Sequence, residues 1–93
     1  MLEEVKEALR VSGDDLDAEV TSLIEAAQFD LRISGVNKID DLDPLIKRAV
    51  ITYCKAHFGY EDVNISERFE RAYISLKQHL TLSGEYGVID EEA

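Results

Sequence analysis

Hydrophobic side chains recur at three- and four-residue intervals along most of the chain, in segments that end near glycines. This spacing is typical of one face of an α-helix. No segment alternates apolar and polar residues for long enough to form a strand. The pattern predicts helices over about residues 2–11, 15–33, 44–58 and 66–82. The predicted fold class is therefore all-α, a compact bundle of four main helices.

The third predicted helix differs from the others because apolar residues cover most of its circumference. Asp43 is placed to cap its first amide groups, and Pro44 suits the first helical position. Gly59 suits its end. The remaining polar edge is thin and consists of Arg48, Thr52 and Lys55. A helix with so little polar surface is usually buried, so we expect this helix at the centre of the bundle.

The other helices have plausible caps and one apolar face each. Asp14 or Asp15 is expected to cap the second helix, and Ser66 the fourth. Six apolar side chains are predicted to meet in the core: Leu23, Ile24, Val50, Tyr53, Phe69 and Leu76. The chain is short enough for one domain, which we place at residues 1–84. Residues 85–93 show no helical period and are expected to form a loose C-terminal tail.

Charge and composition narrow the function classes. The 93 residues carry 20 acidic and 10 basic side chains, a formal net charge of −10. This balance argues against direct binding of nucleic acid, which needs clustered Lys and Arg. A single cysteine excludes an internal disulfide, and no apolar run has membrane-spanning length. We expect a soluble protein, made in a reducing cytoplasm and not associated with a membrane.

Candidate chemistry is sparse. Cys54 and His57 lie three residues apart, but only His79 remains as a further soft ligand. A zinc site needs about four such ligands, and a Cys–His nucleophile pair needs an orienting third group. No phosphate-binding glycine loop and no paired-carboxylate cleft is evident. We therefore expect no metal, no cofactor and no catalytic residues, and predict that the chain is not an enzyme.

The distribution of charge suggests a candidate subunit interface. No acidic residue occurs between Asp43 and Glu61, whereas the second helix is strongly acidic. One interpretation is that each charge only keeps its own helix solvated. The alternative is self-association, in which the acidic face of one copy meets the basic edge of the next. The candidate interface residues are Lys47, Arg48, Lys55, Asp17 and Glu25.

Three blocks of the sequence resemble the small helical head–tail connector, or adaptor, proteins of long-tailed bacteriophages and prophages. Together they cover about residues 2–82. The first block is Leu2-x-x-Val5-Lys6-x-x-Leu9-Arg10-Val11, then Asp14-Asp15-x-Asp17, then Leu23-Ile24-x-Ala26-Ala27. The second block is Ile46-x-x-Ala49-Val50 with Ala56-His57-Phe58-Gly59. The third block is Phe69-x-x-Ala72-Tyr73-x-x-Leu76-Lys77-x-x-Leu80.

The resemblance implies a ring beneath the portal that extends the DNA channel after packaging and joins head to tail. The implied partners are other copies of the chain, the portal protein and the next neck or tail protein. DNA would pass through the channel without specific binding. The implied location is the virion neck, after synthesis in the bacterial host cytoplasm. Many relatives carry a basic residue at the positions after His57, where this chain reads Phe58-Gly59-Tyr60-Glu61, so any role of that residue is not transferred.

Two further expectations concern the tail and the alternatives to a connector. Three apolar tail residues, Tyr86, Val88 and Ile89, are candidates for docking to a neighbouring virion protein, most simply the portal. The alternative is a frayed chain end without a role. The alternative to a connector is a small acidic helical protein-binding or regulatory module that acts as a monomer or dimer. A small enzyme is disfavoured because no acid–base cluster is evident.

Overall fold

The predicted all-α class is confirmed by the structure, a computed structural model that describes residues 1–59, 63–84 and 86. The helices are α1 (Leu2–Leu9), α2 (Asp17–Ile33), α3 (Pro44–His57) and α4 (Val63–Leu82). None of the helices within these described residues combines the length and apolar character needed to cross a membrane.

Two predicted helix ends were wrong in the N-terminal half. Helix α1 ends at Leu9 rather than at residue 11, because Arg10 adopts a left-handed conformation with φ of 61°. Helix α2 begins at Asp17 rather than at residue 15. Leu16 occupies its N-cap position, and no side chain accepts a capping hydrogen bond there. The predicted cap by Asp14 or Asp15 is therefore wrong.

The junction between α3 and α4 also differs from the prediction. Helix α3 ends at His57 rather than at residue 58, and α4 begins at Val63 rather than at residue 66. Ser66 consequently lies inside α4 and does not cap it. Its hydroxyl donates instead to the Ala56 carbonyl oxygen over 2.6 Å. That carbonyl belongs to the last turn of α3, where the helix itself supplies no donors.

The central position of α3 is confirmed, because α3 packs against each of the other helices. Its start has the predicted chemistry. Asp43 Oδ1 accepts hydrogen bonds from the Leu45 amide at 2.9 Å and the Ile46 amide at 3.4 Å, and Pro44 occupies the first turn. Five α3 residues are buried: Ile46, Ala49, Val50, Cys54 and Ala56.

The core is centred on different side chains from several of those predicted. Ile24 and Val50 are buried as expected. Leu23, Tyr53 and Leu76 are only partly buried and pack against the core from its edge. Phe69 is also partly exposed and lines a surface hollow. The largest fully buried side chains are Tyr73, Leu31, Ile46, Val5, Val20, Val36, Val50 and Cys54.

Candidate subunit and partner surfaces

A polar link ties α2 to α4 beside the core. The hydroxyl of Tyr73, which is 1% exposed, donates to Asp30 Oδ2 over 2.5 Å. Lys77 Nζ donates to the same oxygen over 3.0 Å. Desolvation alone would raise the pKa of Asp30, but the hydrogen bonds from Tyr73 and Lys77 outweigh it and lower the pKa. Burial and the nearby carboxylate raise the pKa of Tyr73. The link therefore favours an ionised Asp30 and a neutral Tyr73.

Replacing Tyr73 with phenylalanine should remove this hydrogen bond with little change in packing. We expect a loss of about 1 kcal/mol in the free energy of unfolding at about pH 7. The value is low for a charged partner because the Asp30 side chain remains 32% exposed. Urea denaturation at several pH values would measure this loss.

The pH dependence follows from the two pKa shifts. Asp30 has a lowered pKa in the folded state, so its stabilisation is present above its unfolded pKa and is lost as the pH falls through the folded one. The gap between wild type and Tyr73→Phe should therefore narrow in acid. Tyr73 has a raised pKa, so the wild type should lose stability above the ordinary tyrosine pKa, and the variant should lose less. A gap that is constant across this range would contradict the assigned link.

The three basic side chains of α3 in the candidate interface, Lys47, Arg48 and Lys55, are not equally available for a contact with another subunit. Lys47 Nζ lies 2.9 Å from Glu4 Oε2 on α1, and this hydrogen bond lowers the pKa of Glu4. Lys55 Nζ lies 5.3 Å from the centre of the Phe69 ring on α4. The Arg48 side chain is exposed, and no partner for it is evident within the described part of the chain. Among the three predicted cations, Arg48 is therefore the most available for an intermolecular contact.

The predicted acidic partners also differ in availability. Asp17 Oδ1 lies 2.6 Å from Lys6 Nζ, and Lys6 is 8% exposed. Lys6 also donates to the Gly13 carbonyl oxygen, so this pair secures the connection between α1 and α2. Glu25 is exposed on α2 and forms no ion pair with any other described residue. The interface role of these residues stays a prediction, with Glu25 as its more available acid.

Three neighbouring hollows lie along α3 and α4, and no acidic residue is among the described residues that line them. The first is lined by Ile65, Arg68, Phe69 and Ala72. The second is lined by Arg48, Thr52, Ala72, Ser75, Leu76 and His79. The third is lined by Pro44, Lys47, Arg48 and Ile51. Because Ala72 joins the first two and Arg48 the last two, they form one continuous surface, named here the α3–α4 groove.

The outward side of α2 exposes two large apolar side chains that sequence reasoning missed. Phe29 is 60% exposed and Ile33 is 66% exposed. They lie one turn apart, on the side of α2 away from its buried residues Val20, Ile24, Ala27 and Leu31. The signal was available, because both residues fall outside the apolar stripe of α2. We name this surface the α2 outer face.

The structure places Tyr86 against the helical domain. Tyr86 is 8% exposed, and its hydroxyl donates to Asp43 Oδ2 over 2.8 Å. Its carbonyl oxygen accepts from the Asn37 amide at 2.8 Å and from the Lys38 amide at 3.4 Å. The sequence places Tyr86 in a loose tail, whereas its side chain is buried within the single chain. Val88 and Ile89 lie outside the described residues, and docking by the tail stays a prediction.

Cys54 and His57, the candidate metal ligands or nucleophile pair, lie in different surroundings. Cys54 lies in the core, and burial raises the pKa of its thiol to about 12. His57 lies at the surface, where its Nε2 is 3.1 Å from Glu70 Oε1. Within the described residues, no group of three or more His, Cys, Asp or Glu side chains could hold a metal ion. A thiol that stays protonated is a poor ligand and a poor nucleophile.

The comparison with known families identifies the class of protein. The family model described as "Phage connector protein" matches residues 1–87. The chain therefore belongs to the phage connector protein family. The match spans all four helices and reaches Tyr86.

Neither the curated proteins nor the solved structures gave a match to this chain. The family assignment confirms the connector resemblance in the sequence. It gives the chain a structural role as a virion component that interacts with other phage head and tail proteins. It assigns a connector role rather than an enzymatic one.

Proposed function

We propose that this chain forms a ring beneath the portal, extends the DNA channel after packaging and joins the head to the tail. The observation that carries this proposal is the family match over residues 1–87, which includes every helix of the bundle. Its partners are other copies of the chain, the portal protein and the next neck or tail protein. Its place is the virion neck, reached after synthesis in the host cytoplasm.

The charge of the chain supports passage of DNA rather than binding. A ring of subunits that each carry a formal charge of −10 repels the phosphate backbone, unless basic patches line the channel. The proposed arrangement therefore directs the basic α3–α4 groove toward protein partners and leaves acidic surface for the channel. DNA then passes without a specific grip.

The candidate interface suits contacts between copies. In the proposed ring, Arg48 and Lys55 of one copy face Glu25 of the next. Lys47 and Asp17 add charge near this contact but keep their ion pairs within the chain, with Glu4 and Lys6 respectively. Such contacts between complementary charges favour one orientation of association and weaken with salt.

In this proposal the portal-binding role belongs to residues 85–93, the segment that the sequence predicts to follow a helical domain at residues 1–84. In this proposal Tyr86 holds the start of the segment against the domain, and Val88 and Ile89 supply apolar contacts to the portal. Asp90, Glu91 and Glu92 add three negative charges that a basic portal surface would attract.

Mixing the purified chain with the portal protein of the same phage tests the function directly. We expect a ring of this chain on one end of the portal particle, visible by electron microscopy, with a matching increase in mass by mass photometry. Portal mixed with a small acidic protein of unrelated sequence provides the control. If the portal stays bare and the chain remains a monomer or dimer that binds a cellular protein, it is a binding module rather than a connector.

A further inference from the structure

The α2 outer face has the character of a contact surface. Phe29 and Ile33 lie side by side, one turn apart, and each has more than half of its surface exposed. Their neighbours on this side of the helix, Ser22 and Ala26, are small and also exposed. Adjacent large apolar side chains of this kind, on a helix that buries its opposite side, are available for a protein–protein contact.

The α3–α4 groove offers concave, partly apolar surface that could receive such side chains. Its two hollows on the α4 side have volumes of about 450 and 430 Å³ and are joined at Ala72. The apolar part of their lining comes from Ile65, Phe69, Ala72 and Leu76. Ala72, a small side chain, belongs to the lining of both hollows. These volumes lie within the range of concave sites that accept apolar groups.

Charge also matches between the two surfaces. Arg48 and Arg68 line the groove, and Lys55 lies over the Phe69 ring at its side. On α2, Glu25 is exposed one turn before Phe29, and Glu19 is exposed nearer the start of the helix, whereas Arg32, next to Ile33, is an exposed basic residue. An apolar contact bordered by opposite charges sets the register of the two surfaces as well as their affinity.

We propose that Phe29 and Ile33 of one copy insert into the α3–α4 groove of a second copy, with Glu25 directed toward Arg48. The inference rests on the proposed ring and names the contact that builds it. The contact is between copies because α2 packs its opposite side onto α3, which directs Phe29 away from the groove of its own chain. Since the two surfaces differ, each copy offers one of each, and the contact repeats head to tail.

Three substitutions test the contact by its effect on assembly. Phe29→Asp removes the apolar anchor, and Ala72→Glu blocks the groove. Leu42→Asp is the matched control, because Leu42 is 83% exposed and belongs to neither surface. We expect about tenfold weaker association for the first two and wild-type association for the control. Analytical ultracentrifugation measures association of the free chain, and mass photometry measures its loading on portal rings.

A charge exchange and a cysteine pair test the register. Arg48→Glu should weaken assembly, and Glu25→Arg in the same chain should restore it. Phe29→Cys together with Ala72→Cys should give disulfide-linked multimers under mild oxidation, whereas either cysteine alone should give few. Cys54 can remain in place, because burial keeps it protonated and unreactive. Circular dichroism melts check that each variant is folded.

The outcomes separate this contact from the function itself. If the wild type assembles on the portal while Phe29→Asp and Ala72→Glu are folded and assemble equally well, the contact is wrong and the connector role stands. If disulfide-linked multimers fail to form in assembled rings, the register is wrong. If the wild type neither self-associates nor binds the portal, the proposed function and this contact are both overturned.

Discussion

Replacing Leu31 with alanine is expected to lower the free energy of unfolding by about 2–5 kcal/mol. Leu31 is fully buried on α2 and belongs to the core cluster that also contains Ile24 and Val50. Removing its branched end deletes apolar contacts and leaves a cavity between tightly packed helices. A domain of this size has a total stability of only about 5–10 kcal/mol, so the loss should be visible in any melt.

The matched control for Leu31 is Leu23→Ala on the same helix. Leu23→Ala removes the same atoms as Leu31→Ala, but Leu23 lies at the edge of the core and is only partly buried. We expect a clearly smaller loss for Leu23→Ala, and urea denaturation of both variants would measure the difference. Equal losses would mean that the core faces of α2 are wrongly assigned.

Leu31 and Leu23 differ in burial, although the sequence places both on the apolar face of α2. The apolar spacing predicted α2 and included both leucines in its apolar stripe, which is several residues wide. The position of α3 and α1 against that stripe decides which leucine lies at its centre. Periodicity defines the helix and its general face, whereas burial of a particular side chain depends on packing between helices.

Helix ends were less predictable for a related reason. Asp43 caps α3 through its own local hydrogen bonds, and its sequence signal was reliable. Ser66 has the same local signal but donates to Ala56 on the preceding helix. A serine that satisfies a carbonyl in another helix cannot be distinguished from a capping serine by its neighbours in sequence.

The sequence also left open which charged side chains of the candidate interface pair within the chain. The segregation of basic α3 from acidic α2 was visible in the sequence, but the pairing of Lys47 with Glu4 and of Asp17 with Lys6 was not. Helix α1 supplies both of these partners. Phe29 and Ile33 on the α2 outer face, in contrast, could have been found from helical spacing alone, since both lie opposite the core stripe.

Truncation after Ser83 is expected to destabilise the domain, because Tyr86 completes it. The side chain of Tyr86 lies beside Leu45, Leu76 and Leu80, where a small hollow of about 220 Å³ remains. Burial of an apolar side chain of this size contributes roughly 1.5–3 kcal/mol. The Tyr86 hydroxyl donates to Asp43, and this hydrogen bond lowers the pKa of the carboxylate. Truncation removes that hydrogen bond as well. The melting temperature of the truncated chain should therefore fall clearly, as measured by circular dichroism.

Truncation after Tyr86 is the matched comparison, because it keeps the tyrosine and its contacts with Asp43, Asn37 and Lys38. We expect the chain of residues 1–86 to melt close to the full chain, whereas the chain of residues 1–83 does not. If residues 87–93 dock to the portal, the 1–86 chain should be stable but should bind portal rings more weakly. Full binding by the 1–86 chain would remove Val88 and Ile89 from the proposed docking segment. Equal melting of all three chains would show that the Tyr86 contacts add nothing to folding.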